Sequence, residues 1–221
     1  MYDNIETTLH KLLLTGKSYK VPKGQVIGLF EDTSRINIIK SGYIERYLIT
    51  KEGEKGIQVI YGPSNIFPLT PVYREIFAMN IYSGPEQYYY ESMTELEIFS
   101  ISISELKEAA EKDPTIYKDL FYEAGLRLNS YIHSLESQSL RVANKKISHQ
   151  LMYLAEIFGN KSDDGVTIDL PLTHQNLADM LNLARETVTN CIVRLQEKNL
   201  IHDSSKHITI IDLEKLNQFS R

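Results

Sequence analysis

The sequence predicts an α+β protein: an N-terminal roll of short antiparallel strands, one long helix, and a C-terminal helical unit that carries a small strand hairpin. Three observations predict it. Short Val-, Ile- and Tyr-rich runs broken by turn residues fill Ser18 to Ile101. Gly and Pro then become scarce between Asp113 and Gly159. Two short apolar-patterned segments joined by a tight turn occupy Thr173 to Ile201. With 221 residues, 42% of them apolar and 24% charged, the chain has material for two modest cores and is no disordered or collagen-like sequence.

Residues Asn4 to Leu14 place Ile5, Leu9, Leu12 and Leu13 at the 4-3 spacing of a short amphipathic helix. Strand runs follow at Tyr19–Val21, Gln25–Leu29, Ile36–Lys40, Tyr43–Ile49, Gly56–Ile60, Gln87–Tyr90 and Leu96–Ile101. Pro22-Lys23-Gly24, Ser41-Gly42, Lys51 to Gly56 and Tyr61-Gly62-Pro63 supply the turns between them, so the pattern reads as a meander closed into a barrel or sandwich. A short helix is expected over Ser102–Lys112, with Ser104 near its start.

From Asp113 the chain reads as one long helix. Tyr117, Phe121, Ala124, Leu128, Tyr131 and Leu135 follow spacings of 4, 3, 4, 3 and 4, a seam of nearly three heptads. Such a seam pairs with a second copy or lies on the core of its own domain, and a helix at the end of a strand domain favours the dimer. Ser137 to Val142 is read as a hinge, which gives a strand unit over residues 1–112, a dimer helix and hinge over 113–139, and a third unit over 140–221.

In that third unit a helix runs from Ala143 to about Phe158, a polar turn spans Lys161–Gly165, and a strand spans Val166–Leu170. Thr173 is placed to cap a helix bearing Leu177, Ala178 and Leu181, Asn182 to take the left-handed turn, and Val188, Cys191, Ile192 and Leu195 to face inward from a second helix. Together they make a helix-turn-helix, followed by a hairpin wing from Leu200-Ile201 and His207–Ile211. Arg185, Glu186, Thr189 and Asn190 then point outward from the first turn and a half of the second helix. These residue types suit base edges: Arg reads guanine, Glu accepts from cytosine and Asn reads adenine. Thr173, His174, Gln175 and Arg194 are candidates for phosphate contact.

Charge favours the same unit for a polyanionic partner. Up to Ser139 there are 14 basic against 19 acidic residues, whereas from Leu140 onward there are 10 of each, with four of the six histidines. No apolar run is long enough to cross a bilayer and the N-terminus has no signal-peptide pattern, so a cytoplasmic location without a membrane partner is expected. A single cysteine, Cys191, excludes an internal disulfide and a multi-thiolate metal or iron–sulfur site, and no metal site is assigned. No nucleotide-cradling glycine motif, paired histidine-carboxylate motif or serine elbow is present, so an enzyme is not expected.

The segments Thr173-His174-Gln175-Asn176-Leu177-Ala178, Ala184-Arg185-Glu186-Thr187-Val188-Thr189 and Arg194 to Ile201 resemble the winged helix-turn-helix of the Crp/Fnr transcription regulators. The order of elements is similar over nearly the whole chain, with the strand roll matching the family's cyclic-nucleotide-binding-like domain by layout. The resemblance implies a homodimeric regulator on a roughly palindromic double-stranded DNA site, with Arg185 and Glu186 as the principal base readers and RNA polymerase as a further partner. Ala184 stands where the family usually has a capping Ser or Thr, and Asn190 stands where the cyclic-AMP receptor has an arginine, so the operator does not transfer.

The sensor half departs from the resemblance. Family members that bind cyclic nucleotide carry a Gly-Glu pair and an Arg-Ser or Arg-Thr pair; the matching stretch here is Gly62 to Leu69 without Gly-Glu, and Glu86-Gln87 falls at the arginine position. Arg74 is the only arginine nearby, so cyclic AMP and cyclic GMP are not expected. The N-terminal cysteine cluster of the oxygen sensors is absent, and His133 is the one candidate for a haem, so neither iron–sulfur cluster nor haem is expected. What remains is an aromatic lining around Phe67, Arg74, Tyr82, Tyr89 and Tyr90, which reads equally as a pocket for an unidentified small-molecule effector or as strand packing. Strand alternation puts only one of Tyr89 and Tyr90 inside. The competing reading from another class is a small-molecule-binding module whose wing domain contacts protein or RNA, which the sparse basic content of His202, Lys206 and His207 permits.

Overall fold

The computed structural model describes residues 7–27, 34–79, 88–204 and 207–220. The chain divides into two compact units, one built on Asn4–Gly53 and Gln58–Ser130, the other on Tyr131–Arg221 with Glu54–Ile57.

The first unit opens with α1 (Thr8–Leu13), capped by Thr7, whose hydroxyl accepts from the His10 amide at 3.2 Å. Eight strands follow around three helices: β1 (Lys17–Val21), β2 (Val26–Ile27), β3 (Arg35–Ser41), β4 (Ile44–Ile49), β5 (Lys55–Tyr61), β6 (Ile66–Phe67), α2 (Thr70–Phe77), β7 (Tyr88–Ser92), β8 (Leu96–Ser102), α3 (Ile103–Lys112) and α4 (Thr115–Ser139). They form two four-stranded sheets, in the orders β1-β8-β3-β6 and β2-β7-β4-β5. This is an antiparallel roll but not the meander expected: β1 pairs with β8, Lys17 opposite Ser100, so the first and last strands close the unit.

Period-2 alternation explains the apolar run in β3. Ile36 and Ile38 pack against Leu9 and Leu13 of α1, Leu106 of α3 and Leu120 of α4, while Ile39 faces the roll interior with Ile44, Phe67 and Tyr90. The strand is therefore buried on both faces. Sequence reading assigned no element to β6 or α2; Pro71 lies in the first turn of α2, where a missing N–H costs nothing. The helix expected over Ser102–Lys112 forms as α3, with Ser102 as its cap, accepting from the Glu105 amide at 3.1 Å while the Glu105 carboxylate accepts from the Ser102 amide at 2.7 Å.

The second unit contains the end of α4, then α5 (Ala143–Phe158), β9 (Gly159–Ser162), β10 (Gly165–Ile168), α6 (His174–Leu181), α7 (Arg185–Glu197), β11 (Ile201–Asp203), β12 (Ile208–Ile210) and α8 (Leu213–Ser220). The stretch expected to be a polar turn is a hairpin, β9 pairing with β10 in a sheet of order β11-β12-β10-β9. Gly165 is required there: its φ is +125° and a Cβ would collide with the Ile210 carbonyl. Ile147, Leu151 and Leu154 of α5 form the core with Leu177, Val188, Ile192 and Leu195. Leu216, fully buried on the unpredicted α8, joins them.

Candidate nucleic-acid interface and sensor core

The helix-turn-helix forms as the residue pattern requires. The Thr173 hydroxyl accepts from the Asn176 amide at 3.1 Å at the head of α6. Ala178, only 2% exposed, lets α6 and α7 cross closely. Asn182 takes the left-handed backbone, φ 51°, that ends α6. Ala184 gives the first turn of α7 no side-chain cap.

With Val188, Cys191, Ile192 and Leu195 buried, α7 leaves Arg185, Glu186 and Asn190 exposed on its first turns. Thr189 is half-buried, and its hydroxyl donates to the Arg185 carbonyl at 3.0 Å. Of the residues assigned to phosphate, Gln175 and Arg194 are exposed, Gln175 donating to Asp179 at 2.6 Å. Thr173 is exposed but engaged in its cap. His174 lies 3.0 Å from the Thr189 hydroxyl through Nδ1 and 3.0 Å from Asp203 Oδ2 through Nε2, so both ring nitrogens are held within the protein. The Asp203 amide in turn donates to Gln196 Oε1 at 2.9 Å, tying the wing strand β11 to α7. In the wing, Ser204 closes the turn onto the His207 carbonyl, and Lys206 lies outside the described residues. Burial pushes the Cys191 thiol up, which suits packing rather than redox chemistry.

In the first unit the five residues grouped as a pocket lining do not share one face. Phe67 and Tyr90 are buried and stacked at 5.4 Å, with Tyr61 against both, and they fill the roll. Tyr89 lies on the opposite face, stacked on Tyr47 at 5.4 Å, as alternation requires. Arg74 is exposed on α2, and Tyr82, like Glu86 and Gln87, lies outside the described residues.

The polar group that sequence reading missed is on α4. Glu123 is 3% exposed, its Oε1 lies 3.9 Å from His10 Nε2, and its Oε2 has no hydrogen-bond partner. Burial raises its carboxyl to about 7, opposed by the charge of Arg127, whose guanidinium lies over the Tyr61 ring at 4.8 Å. Burial also lifts the Tyr73 phenol to about 12, reinforced by Glu123.

The same helix corrects the seam. Tyr117, with Ile116 and Leu120, packs on the core of its own unit, because it sits beside the stripe that α4 turns inward. Phe121, Leu128 and Leu135, seven residues apart, remain 80%, 60% and 67% exposed, while Ala124 is half-buried and Tyr131 is 36% exposed. In the second unit lies His133, the residue considered for a haem. Its ring is stacked between Tyr153 at 3.8 Å and His149 at 4.4 Å, and its Nε2 meets Gln150 Oε1 and the Ser137 hydroxyl, each at 3.2 Å. Burial first and His149 second lower it to about 4. His133, Glu136 and His149, to which the sequence assigned no metal, bring ligand-type atoms within 4.8 Å of one another.

Residues 145–219 match the family model of the Crp-like helix-turn-helix domain. The chain is 23% identical over 191 residues to the global nitrogen regulator of Synechococcus elongatus, an alignment covering 85% of this chain and 82% of that protein. It is 23% identical over 201 residues to the CRP-like cAMP-activated global transcriptional regulator of Mycobacterium tuberculosis, covering 90% and 86%. The fold is that of a mutant of CooA from Carboxydothermus hydrogenoformans, with a TM-score of 0.75 at 17% identity over 96% of this chain and 90% of that one.

Residues 145–219 are a Crp-like helix-turn-helix domain, and the chain as a whole is similar to Crp/Fnr transcription regulators. It is a transcription regulator of Crp/Fnr type, with a cyclic-nucleotide-binding-like roll followed by a winged, DNA-binding helix-turn-helix. Among the described residues no helix is long and apolar enough to cross a membrane.

Proposed function

We infer that this Crp/Fnr regulator acts as a homodimer that lays α7 of each copy in the major groove of one half of a roughly palindromic site. The observation that carries this is the exposed set Arg185, Glu186 and Asn190 at the N-terminal end of a helix whose other face is buried. Self-association is supported by Phe121, Leu128 and Leu135, large apolar groups exposed at a heptad spacing that water would otherwise cover. Gln175 and Arg194 serve as phosphate contacts.

The sensor works without cyclic nucleotide, iron–sulfur cluster or haem. Arg74 is exposed rather than turned into the roll, and the Arg127 guanidinium lies over the Tyr61 ring. One buried cysteine cannot hold a cluster, and the His133 ring is enclosed by a stack. The test is selection of sites from a randomised duplex pool. Wild-type protein should enrich an inverted repeat. Arg185→Ala and Glu186→Ala should each lose discrimination at single base pairs, by roughly 1 to 3 kcal/mol, without loss of folding. Identical selected sites for all three proteins would exclude α7 as the reading helix.

A further inference from the structure

His133 and Glu136 stand three residues apart near the end of α4 and so share one face of it, and His149 meets that face from α5. One ligand-type atom from each lies within 4.8 Å of the other two. Two imidazoles and one carboxylate, without a thiolate, are the donor set of a divalent first-row transition ion such as zinc or nickel; calcium and magnesium take oxygen ligands instead. Outer partners of the kind that orient metal-binding histidines are in place. The Ser137 hydroxyl, on a residue 1% exposed, lies 2.9 Å from His149 Nδ1 and 3.2 Å from His133 Nε2, and Gln150 Oε1 lies 3.2 Å from the same His133 nitrogen. The other nitrogen of His149, Nε2, faces Glu136 Oε2 at 3.9 Å. Two ligands with bonds of about 2.1 Å to a tetrahedral ion stand about 3.4 Å apart, so this pair has to close by about 0.5 Å. The His149 and Glu136 side chains are 28% and 63% exposed, which gives an ion a way in and ligands able to move.

We propose that His133, Glu136 and His149 bind one divalent transition-metal ion, with water in its remaining positions, which clasps the end of α4 to α5 and makes DNA binding by this regulator respond to that ion. The DNA half of the proposal rests on the DNA-site reading given above; the metal site does not. Residues 140–142 are all that connects the two helices, and α5 carries Ile147, Leu151 and Leu154 into the core that holds α6 and α7. An ion held from both helices fixes the angle at which α5, with the helix-turn-helix packed on it, leaves α4. The ring stack changes when the ion binds. A metal lies in the plane of each imidazole that ligates it, and the stacked rings of His133 and His149, 4.4 Å apart and inclined by 7°, share no plane. The His149 ring therefore turns toward Glu136, while Tyr153, stacked at 3.8 Å, keeps the His133 ring in place.

The full chain, stripped with chelator and desalted, should take up one zinc ion in isothermal titration with an affinity in the micromolar range or tighter. In nitrogen-detected NMR the same zinc should displace the ring signals of His133 and His149 and end the ring-current shift that each imposes on the other. His149→Ala and Glu136→Gln should each weaken uptake about tenfold or more, and because both side chains reach solvent their results stand if His133→Ala fails to fold. On duplexes enriched by the wild type, saturating zinc should raise affinity about tenfold, since a connection already fixed loses less freedom on DNA, and His149→Ala should lack the increase. No uptake by the wild type, or undiminished uptake by both variants, would overturn the metal site. Equal DNA affinity with and without zinc would overturn the regulatory half. If the wild type enriches no duplex, the DNA-site reading fails, and the titration still decides the site.

Discussion

Glu123→Gln is the substitution whose effect follows most directly from the structure. The carboxyl is 97% buried, one of its oxygens has no hydrogen-bond partner, and it is raised from 4.5 to about 7 by burial, with Arg127 opposing. In the unfolded chain the group ionises near its ordinary value; in the folded chain it holds its proton for longer. The native state thus binds more protons between the two values, and stability falls as pH rises through that window. Below about pH 4.5 the contribution is complete, and above about pH 7 it is lost. At about 1.4 kcal/mol per unit, the separation amounts to about 3 kcal/mol. Glutamine keeps the volume and a neutral head group, so the variant should lack this slope and exceed the wild type in stability near pH 8. Urea denaturation of both proteins near pH 5 and pH 8, compared as a difference between variants, removes the contribution of every other titrating group. Parallel stability curves across that range would refute the reasoning, since they would mean that Arg127 fully compensates the buried carboxylate.

Leu128→Glu combined with Leu135→Glu should convert a dimer to a monomer in sedimentation and lower specific DNA affinity, because it sets like charges across a seam of two such exposed leucines; an unchanged sedimentation coefficient would exclude the seam. Isothermal titration with cyclic AMP and cyclic GMP should show no specific binding. A micromolar affinity abolished by Arg74→Ala would overturn both that reading and the exposed placement of Arg74. His133, lowered to about 4, favours a native state with a neutral ring, so its contribution is present above about pH 6.5 and lost as pH falls through about 4. His133→Phe, which keeps the stack on Tyr153, should flatten that acid limb in circular dichroism, and an unaltered limb would exclude the assignment.

Much of the fold was legible because its signals are local. A cap, a left-handed turn residue and an apolar face fall within a few residues of one another at Thr173, Asn182 and Val188, and α5 begins and ends where its apolar stripe does. Strands were found, but their order was not: the β1–β8 pairing joins residues some 80 positions apart, and alternation alone carries no information about which neighbour a strand takes. The proline-rich start of α2 was assigned no element because proline marks both turns and first helical turns, and only the residues after it, here Val72 to Phe77, separate the two. On α4 the heptad pattern was correct as a spacing and incomplete as an assignment. Its first member, Tyr117, packs beside an inward stripe of Ile116, Leu120 and Glu123 that the roll selects.

The site divides along the same line. Exposure of Arg185, Glu186 and Asn190 follows from the buried face of their own helix, so one segment of sequence suffices to point them outward. His174 looks the same in sequence, a polar residue at the head of a helix in a motif that touches phosphate. What separates it is the position of two hydrogen-bonding partners, one 15 residues on and one 29 residues on, which meet only when α7 and β11 have packed against α6. Glu123 is the stronger case, since its neighbours His10 and Tyr73 come from α1 and α2, and nothing along α4 distinguishes it from Asp119 and Glu136 of the same helix. A residue's chemistry can be read from sequence when its environment is its own helix; when three elements build the environment, the charge state belongs to the fold.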